Sequence, residues 1–214
     1  MKIYCVGYRS WALNIYESLK KKTKHKIKII NKNKNISYSE IKKFNPNYIL
    51  FYGWSDKIPN KIISKYFCIM LHPSPLPKFR GGSPLQNQII RNIKSSKVTL
   101  FKMNENIDAG PIMLTHKLSL EGCLNKIFIR LTQIGLKLTL KVLKNQFTLK
   151  DQNHKNATYF IRRKPNQSEI TIDEIKNKNS TYLINKIRML ADPYPNAYIK
   201  TRDGKKIKIK SIEL

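Results

Sequence analysis

The stretch Cys68–Gln86, CIMLHPSPLPKFRGGSPLQ, constrains the chain more than any other. An apolar run, Phe67–Leu71, stops at His72, and three prolines follow within five residues before the Gly81-Gly82 pair. Short apolar runs of this kind are the strands of a parallel sheet, covered on both faces. Proline and glycine straight after such a run mark a rigid, shaped loop. Open α/β sheets gather ligands at the carboxyl ends of their strands. His72 therefore stands where a sheet presents a reacting group. A histidine alone is ordinarily structural, so the position needs a partner.

Strand and helix patterns alternate around that stretch. Lys2–Gly7 is an apolar run ending at a glycine, and Ser10 is placed to cap a helix over Trp11–Lys21. Gly7-Tyr8-Arg9-Ser10 lacks the second glycine that lets a pyrophosphate approach, so no dinucleotide site is expected there. Lys26–Ile30 predicts a second strand, Ser37–Phe44 a short helix and Tyr48–Tyr52 a third strand. Asn60–Tyr66 is a connecting helix, and Ser83–Asn92 begins another with proline in its first turn, a favoured place for it. Val98–Lys102 and Pro111–Leu118 read as further strands. Leu124, Ile127, Phe128, Leu131, Ile134 and Leu138 lie on one face of a helix over Leu124–Lys144, a stripe suited to the core. Composition turns polar near residue 150, so we expect a main domain over 1–150 and a small C-terminal region over 151–214. That region holds the run Thr158–Lys164, a helix over Ser180–Leu190 and a hairpin about Asp203-Gly204. The fold class is α/β: a mostly parallel twisted sheet flanked by helices, with a helix and β-hairpin appended.

Net charge is +29, which in many chains announces a nucleic-acid binder. Here the excess is lysine, 34 Lys against 8 Arg, and it rises together with 30 Ile and 20 Asn, as coding from an A/T-rich genome would give. The lysines are spread from end to end, so they are read as solvated surface and nucleic acid is not the expected partner. No apolar run approaches a membrane span, and the opening MKIYCVGYRS has no signal-peptide core, so a cytoplasmic protein is expected. Cys5, Cys68 and Cys123 are odd in number, widely spaced and in apolar contexts, which suits buried reduced thiols. They form no metal pattern with the four scattered histidines, and no metal site is expected.

The partner for His72 lies 36 positions on, where Val98–Met113 ends in Ile107-Asp108-Ala109-Gly110-Pro111. Asp before a small residue and Gly-Pro is by itself a turn former. Together, however, the two segments resemble the folate-dependent formyltransferases, whose signature is an Asn-x-His-x-Ser-x-Leu-Pro loop and a later Asp-x-Gly loop. His72, Ser74, Leu76, Pro77, Asp108 and Gly110 fall in that register, and Arg80-Gly81-Gly82-Ser83-Pro84 resembles the branch with methionyl-tRNA and amino-sugar formyltransferases. Arg188 followed by Asp192-Pro193-Tyr194-Pro195-Asn196-Ala197 resembles the family's junction with its C-terminal part.

The resemblance implies a Rossmann-like fold and N10-formyl-tetrahydrofolate as formyl donor. It implies His72 and Asp108 as the acid/base pair at a tetrahedral intermediate. It places Trp54, Asp56, Lys57 and Ile58, in the Gly53–Pro59 loop, along the folate, and counts Met103, Ile107 and Gly110 among the folate contacts. Ser74, Lys78, Arg80, Gly82 and Asn87 are the expected acceptor contacts, the cations among them for phosphate, with Arg162 and Arg163 as weaker candidates. One position departs. The family's Asn, an oxyanion donor, is Met70 here, and a thioether has no N–H. Ser74, a backbone amide of the Pro/Gly loop, a water or Asn87 could take its place; otherwise the chain is an inactive folate- or nucleotide-binding homologue.

Methionyl-tRNA formyltransferases carry a C-terminal barrel, for which the residues after the long helix are too few. Glycinamide ribonucleotide formyltransferases have a phosphate loop after strand one and Pro-Gly where Arg80-Gly81 stands, neither of which occurs here. The expected acceptor is therefore a nucleotide-linked deoxy-amino sugar destined for cell-surface polysaccharide such as lipopolysaccharide, with a compact tRNA formyltransferase as the rival reading. By resemblance the enzyme is expected to be a homodimer.

Overall fold

The computed structural model describes residues 1–31 and 36–212. Its strands and helices run in chain order β1 (Lys2–Val6), α1 (Ser10–Lys22), β2 (Lys26–Ile30), α2 (Tyr38–Phe44), β3 (Tyr48–Tyr52), α3 (Asn60–Ile63) and β4 (Cys68–His72). After the proline loop come β5 (Arg80–Gly81), α4 (Pro84–Ile89), β6 (Ser95–Lys102), β7 (Ile112–Ser119) and α5 (Leu124–Leu143). The tail adds β8 (Tyr159–Phe160), α6 (Ile172–Asn177), α7 (Ser180–Met189) and the hairpin β9 (Ala197–Lys200) and β10 (Lys206–Ile209).

Six strands make the central sheet in the order β2-β1-β3-β4-β6-β7. The first four are parallel, and β6 and β7 add to that edge antiparallel. This is the mostly parallel, Rossmann-like sheet expected. Strand order reverses between β1 and β3, the place where open α/β sheets leave a crevice. Tyr16 of α1 is inserted there: its hydroxyl reaches the carbonyls of Val6 (2.9 Å) and Leu50 (3.0 Å) and accepts from the Tyr52 N–H (2.8 Å). The ring is fully buried, so those strand ends are fixed by a polar atom that has no access to water.

Two apolar layers cover the sheet. One includes Ile15, Leu19, Leu71, Leu131 and Leu138 of α1, β4 and α5; the other includes Val6, Ile41, Phe51 and Ile62 under α2 and α3. Residues beyond 150 join the first layer through Ile170, Ile187, Met189 and Ala197. Arg188 ties α7 to the end of β7, donating to the carbonyls of Leu120 (2.7 Å) and Gly122 (2.9 Å).

Three local expectations need correction. Ser10 does not cap α1: it is the first helical residue, Arg9 holds the cap position and no side chain bonds there. The connecting helix stops at Ile63 rather than Tyr66. Within the run Thr158–Lys164, for which the pattern gave no element, Tyr159–Phe160 pairs with the two-residue β5. Cys123 is exposed at the start of α5, whereas Cys5 and Cys68 are buried, and burial pushes the Cys68 thiol up to about 12. The pattern also missed α6, a helix of six residues with no buried side chain.

Candidate active site

Alternation along β4 sets the site's first geometry. Ile69 and Leu71 enter the layer under α5, so Met70 and His72 share the opposite face, as a period of two requires. His72 ends the strand almost fully buried. Its Nε2 lies 2.7 Å from the Phe79 carbonyl, which can only accept, so Nε2 carries hydrogen. Its Nδ1 is 3.5 Å from Oδ2 of Asp108, leaving that edge for one more proton shared with the carboxylate.

The proline loop is held from beneath by buried polar groups. Ser74 donates to the Lys78 carbonyl (2.8 Å), Thr99 to the Ser74 carbonyl (2.7 Å) and the Gln88 amide to the carbonyls of Pro73 (2.8 Å) and Pro84 (2.9 Å). Asp108 reaches the loop from the other side. Its carboxylate accepts the Gly81 N–H (2.8 Å), and its own carbonyl accepts from Gln152 (2.9 Å), which also donates to the Gly110 carbonyl (2.7 Å). Gly81 has φ +89, and a Cβ there would stand 2.5 Å from the Phe160 oxygen. Only glycine admits β8 so close, and that approach aims the amide at Asp108.

Arg80 is the main correction. Expected at a phosphate, it is fully buried, its guanidinium donating to Gln152 (2.7 Å and 3.2 Å) and Tyr159 (2.6 Å) and lying 3.1 Å from His154 Nδ1. It braces the glutamine that carries the Asp108 loop. Ser74 and Asn87 are also spoken for: the serine is buried and bonded within its loop, and the Asn87 amide donates to the Gly82 carbonyl (2.9 Å). Lys78 is exposed at the loop tip, away from the cavities. Gly110 does not line the site either; a Cβ would fall 1.9 Å from the Lys102 oxygen, so its absence of side chain closes the loop on the strand end.

A chamber of about 960 Å³ opens over the carboxyl ends of β1, β3 and β4. His72, Asp108, Met70 and Gly82 line it, as do Trp54, Asp56, Lys57, Ile58, Met103 and Ile107. The Trp54 indole N–H is buried there without a partner, and Tyr8 packs its edge at 5.8 Å. The wall residues that the sequence reading missed include Arg9, Tyr194 and Gln86. Arg9 lies over the Tyr194 ring at 5.2 Å, and Tyr194 comes from the tail, which no local pattern connects to α1. Gln86 is buried with its amide nitrogen unpartnered, and its place in the first turn of a six-residue helix was the available signal. Asn87, by contrast, lines a second cavity of about 680 Å³ behind α4, which shares Arg162, Arg163 and Lys164 with the first.

With this geometry in place, comparison with known proteins is informative. The profile described as formyl transferase matches residues 10–122, more than half of the chain. The chain belongs to the formyl transferase family. Among this family's curated members, the methionyl-tRNA formyltransferase of Ehrlichia ruminantium (strain Welgevonden) is 33% identical over 175 residues, 79% of this chain and 54% of the relative. The chain thus spans about half the length of the curated relatives it matches. The solved methionyl-tRNA formyltransferase from Clostridium thermocellum superposes with a TM-score of 0.86 at 33% identity, covering 98% of this chain and 97% of that one. A sugar N-formyltransferase from Shewanella sp FDAARGOS_354 shares the fold, with a TM-score of 0.79 at 20% identity and coverage of 100% and 98%. Among the described residues no helix of this family member is long and apolar enough to cross a membrane.

Proposed function

We propose that the chain is an N-formyltransferase, moving a formyl group from N10-formyl-tetrahydrofolate to a primary amine on a phosphate-bearing acceptor. The observation that carries this is the His72–Asp108 pair, 3.5 Å apart on the wall of one chamber. At about 960 Å³ the chamber is at the upper end for a single small ligand, which suits a donor and an acceptor together. Trp54, Ile58 and Met103 give the apolar walls a pterin would lie between.

The neutral amine attacks the formyl carbon, forming the new C–N bond and an oxyanion. Asp108 takes the amine proton, directly or through water. His72 gives a proton to N10 of the folate as the old C–N bond breaks, and the oxyanion collapses to the formamide. General acid–base transfer of this sort contributes about 10²–10⁴ in rate. Met70 offers no N–H to the oxyanion. We assign that donation to the Gln86 amide, which no protein group claims and whose two ends exchange by a half-turn of the last torsion.

For the acceptor, our first reading is the amine of a nucleotide-linked deoxy-amino sugar, a phosphate-bearing molecule small enough for the chamber. The second reading, methionyl-tRNA, is favoured by the 33% identity with the Clostridium thermocellum protein along nearly the whole of both chains, and by the +29 charge. The test is formyl transfer from the folate to a panel of nucleotide amino sugars and to methionyl-tRNA, with His72→Ala alongside. Transfer to one sugar nucleotide, lost by about 10²-fold or more in His72→Ala, is expected. Folate binding with no transfer to any acceptor would leave the chain a binding protein.

A further inference from the structure

The cavity behind α4 has a composition that the chain's lysine bias does not explain. Arg91, Arg162, Arg163 and Lys164 line it, together with the amides of Asn87, Asn166 and Gln167 and the Tyr182 phenol. No Asp or Glu is among its lining residues. The chain has only 8 arginines, and three of them are here, with Arg9 on the adjoining chamber. Lysine follows the composition of the whole chain; this gathering of arginine does not. The planar fork of arginine matches phosphate oxygens two at a time, which the lysine ammonium cannot do.

Arg91 and Arg163 are held in place, and none of the four has a counter-ion among the described residues. Arg91 donates to the Asn87 carbonyl (2.8 Å) and lies 4.4 Å over the Phe160 ring. Arg163 donates to the Gln167 carbonyl (2.8 Å), and its Nε is buried with no partner. Burial lowers the Arg163 guanidinium from its usual range, Arg91 adding to that and Tyr182 and Glu174 opposing it. Glu174 stands behind the Tyr182 hydroxyl but is taken by Lys186 at 2.6 Å. Among the described residues, none of the four cations forms an ion pair.

We propose that this second cavity is an anion subsite for the diphosphate of a nucleotide-linked acceptor, with Arg91, Arg162 and Arg163 as its phosphate ligands. Arg162, Arg163 and Lys164 line both cavities, so an acceptor anchored here extends its far end toward His72 and Asp108. The context rests on the transfer reaction proposed above; the binding site itself does not.

The test uses the full chain and inorganic pyrophosphate, titrated by calorimetry, so that no turnover is needed. Wild type should bind it, and Arg91→Gln and Arg162→Gln should each weaken binding about tenfold, while Lys137→Gln and Lys42→Gln on the exposed surface leave it unchanged. Arg163→Lys, which keeps charge and loses the fork, should fall between. Circular dichroism of each variant checks that the fold is intact. No pyrophosphate binding by wild type, or equal weakening by the surface lysine variants, overturns the proposal. A nucleoside diphosphate should displace pyrophosphate; displacement by a short RNA alone, falling steeply with salt, would give the site to a nucleic-acid backbone and overturn it too. If pyrophosphate binding depends on the arginines while no acceptor is ever formylated, the subsite stands and the transfer reading falls. Formyl transfer to a sugar nucleotide that pyrophosphate does not inhibit leaves the reaction and removes the subsite.

Discussion

At residue scale, burial separates two cations expected to serve alike, Arg80 inside the fold and Lys78 exposed on its loop. Arg80 is enclosed and holds Gln152, so its loss strands a buried amide and frees the Asp108 loop. Arg80→Met should therefore cost about 1–3 kcal/mol of stability and lower kcat, with little change in acceptor KM. Thermal melts and steady-state kinetics check both. The Met70 position makes a paired prediction. Gln86→Met should lower kcat by about 10²–10³-fold, the usual cost of one oxyanion donor, and Met70→Asn should restore part of it in the double variant. If Gln86→Met transfers formyl at the wild-type rate, the assignment of the amide is wrong.

At element scale, the tail contributes walls that the sheet cannot. Helix α6 has no buried side chain, and its hold on α7 runs through Glu174, which completes a capping box with Thr171 and meets Lys186 at 2.6 Å and 2.7 Å. Lys186 is itself 4% exposed, so removing its carboxylate leaves a buried charge unpaired. Glu174→Gln should cost about 3 kcal/mol, or about 6–12 °C in Tm for a chain of this size. Burial raises the Glu174 carboxyl, but hydrogen bonds from Lys186, Thr171 and Tyr182 outweigh it and hold the group below its usual 4.5. A depressed carboxyl stabilises fully above its unfolded value and loses that contribution as pH falls through the folded one. Wild type should thus lose this stabilisation below about pH 4.5, and the Tm gap to Glu174→Gln should close there.

At the scale of the whole molecule, the charge of +29 raises local anion concentration everywhere, while the arginines fix where an anion stops. With a sugar nucleotide, kcat/KM should fall about tenfold or less between 50 and 200 mM salt, since few phosphates are engaged. A loss of about 10³-fold or more would mark a polynucleotide acceptor.

How much of this was legible follows from the range of the forces involved. Period-two and period-3.6 patterns are local, so the six strands of the central sheet and the stripe of Leu124–Leu143 could be read directly, whereas the two-residue β5 could not. His72 and Asp108 were legible because the loops that carry them resemble the two signature loops of one family. Arg80 and Gln86 were not, because whether a polar side chain points into a cavity or under a loop depends on partners such as Gln152, 72 positions away. The sequence by itself determined the strands and helices of the sheet layer, since these follow from burial periodicity, and its family resemblance singled out His72 and Asp108. Only the tertiary structure decided which cation is buried, which amide is unpaired and that the tail closes the chamber, since desolvation and pairing are properties of assembled surfaces.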